Sequence, residues 1–198
     1  MKKLTVILPF IVTFFEIGCN PTPSACVKGY LDFETPTFVL GTVYNSPGFL
    51  YNSSNGLAVA LIKFTSVAGS QTFNQSKILQ PPPFPFGTGN VLRMNNTALN
   101  FDLKQGTQKA SFEYLDQGGT INLGAHGSGN LYIGNMSALP VNIVINGVTI
   151  DKSNVHDILN AQGTKVGETG TITLKFSPDI GGMIIGGQEL FLDNFCFN

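Results

Sequence analysis

Short apolar runs alternate with turn-forming residues along most of this chain. From Cys26 onward, strand-like runs are separated by Gly, Asn and Asp at intervals of about eight to twelve residues. In two of these runs, 120–125 and 169–176, every second residue is apolar, so that one face of each strand is apolar. The pattern predicts a β domain of about ten strands over residues 26–198.

Residues 141–150 contain the strongest local signal. Two β-branched runs flank Asn146 and Gly147, and this dipeptide suits the two positive φ angles of a type I′ turn. The pattern predicts a β-hairpin.

Two other segments are less decisive. Residues 57–65 are mostly apolar, which fits either a fully buried strand or a helix fragment. Residues 152–162 are consistent with one short helix, for which Ser153 would be the N-cap.

Residues 80–90 include four prolines, which have no N–H group to donate to a neighbouring strand. We therefore expect a surface loop or a sheet edge here. Phe84 and Phe86 on this loop either plug the core or form the lip of a binding site.

The N-terminus resembles an export signal. Lys2 and Lys3 precede an apolar stretch, residues 4–15, which is shorter than the ~20 residues of a membrane-spanning helix. We predict a signal peptide over residues 1–18.

The residues around Cys19 resemble a bacterial lipobox, with Glu16 where leucine is usual. The resemblance implies that Cys19 carries a lipid and that residues 19–25 form a short tether. The acyl chains would then be the only membrane contact. Ordinary signal-peptidase cleavage after Ala25, giving a secreted protein, is the alternative.

The chain has three cysteines, an odd number for an exported protein. Lipidation of Cys19 would leave Cys26 and Cys196 to form a disulfide in an oxidising compartment. Closing a loop of this length would stabilise the domain by roughly 5 kcal/mol through chain entropy. Two free buried thiols are the alternative.

Composition narrows the class of protein. A length of 198 residues fits one domain, and 42% hydrophobic with 12% charged residues argues against disorder. The formal charge is −1 and Arg93 is the single arginine, so that no basic stripe for nucleic acid exists.

These observations together predict an all-β fold, an antiparallel β-sandwich of jelly-roll type with a single domain over residues 26–198. The first and last strands of such folds often lie side by side. That arrangement would bring Cys26 and Cys196 together.

Residues 31–35 (LDFET) and 191–195 (FLDNF) resemble the opening and closing strands of carbohydrate-binding modules with the galactose-binding-like jelly roll. In that family these strands help to hold a structural calcium. The resemblance implies Glu34 and Asp193 as calcium ligands, with Asp32 as a further one, and calcium wants six to eight oxygens. The alternative is that all three are solvated residues at strand ends.

A longer pattern resembles a group of uncharacterised exported bacterial β domains, with Phe191 where tryptophan is usual. This resemblance implies a single exported β domain with a C-terminal cysteine, and no activity. The residues that carry it are 87–90, 99–102, 112–114, 118–123, 145–147 and 185–193, followed by Cys196.

Catalytic signals are weak. The sequence has no G-x-S-x-G, HExxH or phosphate-loop motif. His126 lies in a glycine-rich turn and His156 lies beside Asp157. Glu113 and Asp116 are three residues apart, which places them on opposite faces of a strand. Whether the protein is an enzyme is left open, with polysaccharide cleavage as the class to consider, and the sequence favours a protein without activity.

Tyr44, Tyr51 and Tyr132 lie in or near predicted loops and could stack against sugar rings. We therefore expect an exported, lipid-anchored, non-catalytic module that binds glycan at the bacterial cell surface. The alternative is a structural or adhesive protein that binds a surface protein.

Overall fold

The structure, a computed structural model, describes residues 26–34, 36–53, 56–63, 75–125 and 129–198. The predicted signal peptide, the tether and the lipidation of Cys19 lie outside the described residues, as does His126.

The described residues form an all-β structure, as the alternating pattern predicts. The described part of the chain contains no helix long and apolar enough to cross a membrane. The strands are β1 Gly29–Leu31, β2 Val43–Asn45, β3 Gly48–Asn52, β4 Ala58–Lys63, β5 Gln75–Leu79, β6 Val91–Asn95, β7 Thr97–Asp116, β8 Ile121–Ala125, β9 Gly129–Gly134, β10 Ile143–Ile145, β11 Val148–Leu159, β12 Lys165–Gly187 and β13 Leu190–Phe197, with a 3-10 helix at Met136–Ala138.

All pairings between the described strands are antiparallel and belong to one large sheet. Its main order is β10-β11-β12-β7-β13-β6-β5-β2. Strand β1 is added beside β13, β3 and β4 extend from β7, and β8 and β9 extend from β12.

The two longest strands, β7 and β12, change neighbours along their length. The first part of β7, 97–102, pairs with β4 and with the end of β12. Its last part, 107–116, pairs with β13 and with the start of β12. The register of β12 shifts between Lys175 and Gly182, and such irregularities bend a strand. The sheet therefore has two parts that share β7 and β12.

The two parts meet across one apolar core. The ring of Phe101, in the first part of β7, lies 4.8 Å from Phe195 and 5.3 Å from Phe197 of β13, measured between centroids. Phe195 also stacks on Phe112, in the last part of β7, at 5.2 Å. The inward residues of both parts are thus buried by each other.

A second, smaller apolar cluster covers the opposite face of the sheet. Leu190 and Leu192 belong to the main core, whereas Phe191 belongs to the second cluster, since neighbouring residues of a strand point to opposite faces. Phe86 of the proline-rich loop 80–90 is buried in this cluster and Phe84 packs against it. The prediction of a loop over residues 80–90 is confirmed. Its two phenylalanines pack in or against the second apolar cluster.

Three local predictions are also decided. The hairpin is confirmed, because Ile145 pairs with Val148 around a turn with positive φ at Asn146 and Gly147. Of residues 57–65, the structure describes 57–63, and these contain strand β4 and no helix.

The short helix over residues 152–162 is wrong. This segment belongs to strand β11, in which Ile150 faces Leu174 of β12 and His156 faces Thr169. Pairing with residues 165–175 of β12 outweighs a weak local preference for helix.

The predicted disulfide between Cys26 and Cys196 is present and spans 170 residues of sequence. It follows from the pairing of β1 with β13, in which Gly29 faces Phe197 and Leu31 faces Phe195. The first and last strands are therefore neighbours, as expected.

Candidate functional site

A cleft of about 350 Å³ lies between the proline-rich loop and strands β7, β11 and β12. We call it the proline-loop cleft. Its lining residues are Pro85, Phe86, Gly87, Thr88, Glu113, Asn154, His156, Gly170 and Thr171.

The strands under the loop set the positions of the polar groups in this cleft. Glu113 of β7 faces Thr171 of β12 directly in the antiparallel register. Between Ser153 and His156 the pairing of β11 with β12 shifts, and Asn154 there takes a φ of 52°. Asparagine tolerates this left-handed conformation better than most residues. A β-bulge therefore brings Asn154 and His156 to the rim.

Three buried or half-buried carboxylates hold the loop in place. Their acceptor oxygens receive backbone N–H bonds from three positions of one short segment: Gly87 N–H donates to Glu113 Oε2 at 3.1 Å, Thr88 N–H to Asp193 Oδ2 at 3.1 Å, and Asn90 N–H to Glu34 Oε1 at 2.8 Å. The acids come from β7, from β13 and from the segment after β1, so the loop joins distant parts of the chain.

Asp193 is the most perturbed of these acids. Its side chain is fully buried and it faces Glu113 in the register of β13 with β7. Burial raises its pKa to about 7; the N–H bonds from Thr88 and Asn194 oppose this, and the charges of Glu113 and Glu34 add to it. Near neutral pH, the protonated and the ionised forms of Asp193 are therefore both populated.

Tyr30 lies beside the same acids. Its hydroxyl donates to Asn194 Oδ1 at 3.0 Å. Burial first, and then the charges of Asp32 and Asp193, raise its pKa to about 12. Tyr30 is therefore a neutral hydrogen-bond donor in this region.

The predicted calcium ligands Glu34 and Asp193 are held by the same short loop, where backbone N–H groups bond their oxygens. Both oxygens of Asp193 and Oε1 of Glu34 accept backbone N–H bonds, and Asp32 Oδ1 accepts one from Glu34 at 3.4 Å. Each of these N–H groups uses one lone pair of a carboxylate oxygen, which leaves fewer lone pairs for a cation. Among the described residues, no group of three or more His, Cys, Asp or Glu side chains could hold a metal ion. Calcium remains a prediction from the resemblance.

The predicted sugar-stacking tyrosines do not line the proline-loop cleft. The rings of Tyr44 and Tyr51 both contact Phe38, at 6.4 Å and 5.9 Å between centroids. Tyr132 lies on β9, and its hydroxyl donates to the carbonyl of Asn135. All three are partly buried against the core. Their role in ligand binding stays a prediction.

Several cleft residues were not singled out as a site from the sequence. From the sequence, Glu113 is weighed together with Asp116 and His156 is noted beside Asp157, whereas Asn154 lies in the predicted short helix. Thr88 and Thr171 carry no sequence signal beyond their neighbours. The proline-rich segment next to Gly87 was the signal available, because a stiff loop needs a surface to pack on.

Asp116, the second acid weighed with Glu113, does not belong to the cleft. It is fully buried, and its carboxylate accepts N–H bonds from Gly118 at 2.8 Å and Ser137 at 3.1 Å. It fixes a turn and the 3-10 helix. No catalytic pair with Glu113 forms.

Comparisons with protein-family models, with curated proteins and with solved structures found no match to this chain.

Proposed function

We propose that this chain is a non-catalytic binding module, of the jelly-roll sandwich type and with a single domain, that takes a glycan in the proline-loop cleft. The observation that carries the proposal is the mixed lining of this cleft. Hydroxyl, amide, imidazole and carboxylate groups share this lining with the apolar side chains of Pro85 and Phe86, which we call the apolar wall.

This mixture suits a sugar, which has hydroxyl groups on its rim and apolar C–H groups on its ring faces. The volume of about 350 Å³ is within the range of small-ligand sites. Asn154 and Thr171 offer uncharged donors and acceptors for hydroxyl groups. The buried carboxylates under Gly87 and Thr88 keep the loop, and thus the apolar wall, in position.

The number of carboxylates in the cleft favours binding of a glycan over its hydrolysis. Hydrolysis of a glycosidic bond generally uses two, one on each side of the bond. Glu113 is the one carboxylate among the described residues that line the cleft. Asp193 faces it in the register but is fully buried beneath the loop.

The test is a titration of the full chain with a panel of neutral polysaccharides, comparing two variants. Asn154→Gly removes a cleft amide while keeping the left-handed backbone. Asn142→Gly makes the same change at a φ of 58°, in an exposed position outside the cleft.

We expect one class of neutral glycan to bind, with Asn154→Gly weakening it about three- to tenfold through the lost hydrogen bonds. Asn142→Gly should bind like the wild type. If no glycan binds, or if the two variants weaken binding equally, the proposal is wrong.

Export and anchoring are part of the same proposal. A lipid on Cys19 would hold the module at the bacterial cell surface. Replacing Cys19 by Ala should move the protein from the membrane fraction to the soluble fraction. Unchanged partitioning would contradict the lipid anchor and leave glycan binding to the titration above.

A second candidate function, adhesion to a protein, is favoured by exposed apolar residues around β2 and β3. Val39, Leu40 and Phe49 are 59%, 51% and 64% exposed. Apolar groups gathered on a surface often mark a protein interface. Adhesion through this surface predicts self-association that Phe49→Ser reduces, whereas Val141→Ser, at an exposed valine just before β10, leaves it unchanged. Light scattering over a range of concentrations measures this.

A further inference from the structure

A second cleft, of about 260 Å³, lies over strands β2, β5 and β6. We call it the basic cleft. It is lined by Val43, Gln75, Lys77, Arg93 and Asn95. The chain has a formal charge of −1, yet both charged residues of this cleft are cations.

The strand register builds this arrangement. Lys77 of β5 faces Arg93 of β6, and two residues along, Gln75 faces Asn95. Because every second residue of a strand points to the same side, all four side chains are on one face of the sheet. Two facing cations are thus flanked by two facing amides.

These cations have no anionic partner among the described residues. The ion pairs found in the described part of the chain involve Lys152 and Lys165. Like charges directly opposite each other destabilise a sheet, so an anion between Lys77 and Arg93 would relieve a cost that is present without it.

Arg93 is also held in place. Its guanidinium lies 5.9 Å from the ring centroid of Phe191, which faces Arg93 on the neighbouring strand β13. Such a cation–π contact limits the freedom of the arginine side chain. The fork of a guanidinium matches the oxygens of a carboxylate or a sulfate.

We propose that the basic cleft binds the carboxylate or sulfate group of an acidic polysaccharide. Lys77 and Arg93 take the oxyanion, while Gln75 and Asn95 bond hydroxyl groups of the same sugar. The choice of a polysaccharide rests on the proposed function. The binding of an oxyanion rests on the cleft alone. One basic pair on an otherwise weakly acidic chain does not suit the long phosphate backbone of a nucleic acid.

The chain offers a matched control in another facing pair of cations. Lys109 of β7 faces Lys175 of β12, and both are exposed. Neither residue lines the basic cleft. Replacing this pair removes the same charge from a different place.

The experiment measures binding of the full chain to polygalacturonate, dextran sulfate and neutral dextran at low and at moderate salt. The double variant Lys77→Gln/Arg93→Gln is compared with Lys109→Gln/Lys175→Gln. Inorganic sulfate alone is titrated as well, since a free anion carries the same chemistry as a sulfated sugar.

We expect an acidic polymer to bind, with the neutral dextran silent. The basic-cleft variant should lose at least about tenfold in affinity, as expected when charge-assisted hydrogen bonds are removed, and the control variant should keep its affinity. Equal losses in both variants would show general charge attraction and overturn the proposal. So would the absence of binding by any acidic polymer.

Two further outcomes separate the parts of the proposal. Inorganic sulfate that binds while neither acidic polymer does would overturn the polysaccharide. Asn154→Gly should leave binding of the acidic polymer unchanged, because the two clefts share no lining residue. A lack of neutral glycan binding in the proline-loop cleft is therefore distinguishable from a lack of acidic polymer binding in the basic cleft.

Discussion

Lys152 and Glu168 form a buried ion pair between β11 and β12, with Lys152 Nζ 2.6 Å from Glu168 Oε1 and both side chains 3% exposed. Lys152 Nζ also donates to the carbonyl groups of Met136 and Leu139, each at 3.0 Å. This one ammonium therefore connects the sheet to the 3-10 helix. The hydroxyl of Tyr114 donates to the same carboxylate.

Replacing Lys152 by Met should be strongly destabilising. The variant leaves Glu168 without its buried cation, with the more exposed Lys165, 2.7 Å from Oε2, as its remaining ion-pair partner. Removing one partner of a buried pair costs about 3–5 kcal/mol, and we expect the lower end of this range because Lys165 stays. Chemical denaturation measures the free energy of unfolding. The control Lys109→Met, at an exposed lysine, should change it by less than about 0.5 kcal/mol. A loss as small as the control's would show that the pair adds nothing.

The raised pKa of Asp193 predicts that stability falls as pH rises. Folding raises the pKa from 3.8 to about 7, so the folded protein holds a proton that the unfolded chain has released. The stabilisation is complete below the unfolded pKa and is lost as pH rises through the folded value. Between about pH 5 and about pH 8 this group should cost about 2–3 kcal/mol.

Urea denaturation at these two pH values, on wild type and on Asp193→Asn, measures that dependence. The variant does not titrate, so its stability should change less between them. Asp179→Asn, at an exposed acid, should keep the wild-type dependence. Identical pH profiles for wild type and Asp193→Asn would show that Asp193 ionises normally.

Removing the disulfide should destabilise the domain by about 2–5 kcal/mol, because the unfolded chain regains the entropy of a long loop. Cys26→Ser/Cys196→Ser tests this by denaturation under oxidising conditions. Alkylation of the wild type without reductant, followed by intact mass, should leave these two thiols unmodified. Modification of both would contradict the bond.

Gly89 is the position where the loop approaches Glu34 most closely. A Cβ there would lie 1.9 Å from Glu34 Oε1, so alanine must displace the carboxylate that accepts the Asn90 N–H bond. Gly41 has a similar positive φ with no atom within 4 Å of its Cβ. Both alanine variants carry the backbone cost of about 1 kcal/mol. Gly89→Ala should cost about 1–2 kcal/mol more, measured by denaturation.

Calcium provides a direct test of the resemblance. An ion that bound only the folded protein would raise its melting temperature by mass action. The resemblance predicts a higher melting temperature in calcium than in a chelator, and an unchanged melting temperature would contradict it. N–H groups already bond Asp193 and Glu34. A clear rise in calcium would show that the loop can exchange these bonds for metal ligands.

Much of the fold could be predicted from local patterns. The strict alternation in 169–176 and the Asn146-Gly147 turn contain their own structural information, because side-chain period and φ are properties of adjacent residues. The number and position of the cysteines favoured the disulfide, with two free buried thiols as the alternative. The prediction of a helix over 152–162 was wrong because the conformation of this segment depends on its pairing with β12.

The candidate sites depended still more on distant partners. The proline-loop cleft joins residues of the loop, β7, β11 and β12, and no spacing in the sequence relates Thr88 to Thr171. The basic cleft arises because the register sets Lys77 against Arg93 and places Phe191 beyond them. A slip of one residue would turn these side chains to the opposite face.

By itself, therefore, the sequence determined the class of fold and the loop over residues 80–90, since composition and local period suffice for these. It allowed the disulfide between Cys26 and Cys196, which the pairing of β1 with β13 decided. Only the tertiary structure decided which polar groups share a cleft and that Asp193 is buried beside Glu113. The physical reason is that register and burial are set by contacts between strands that are far apart in the chain. The energy of such a contact depends on both strands, so it cannot be inferred from either segment alone.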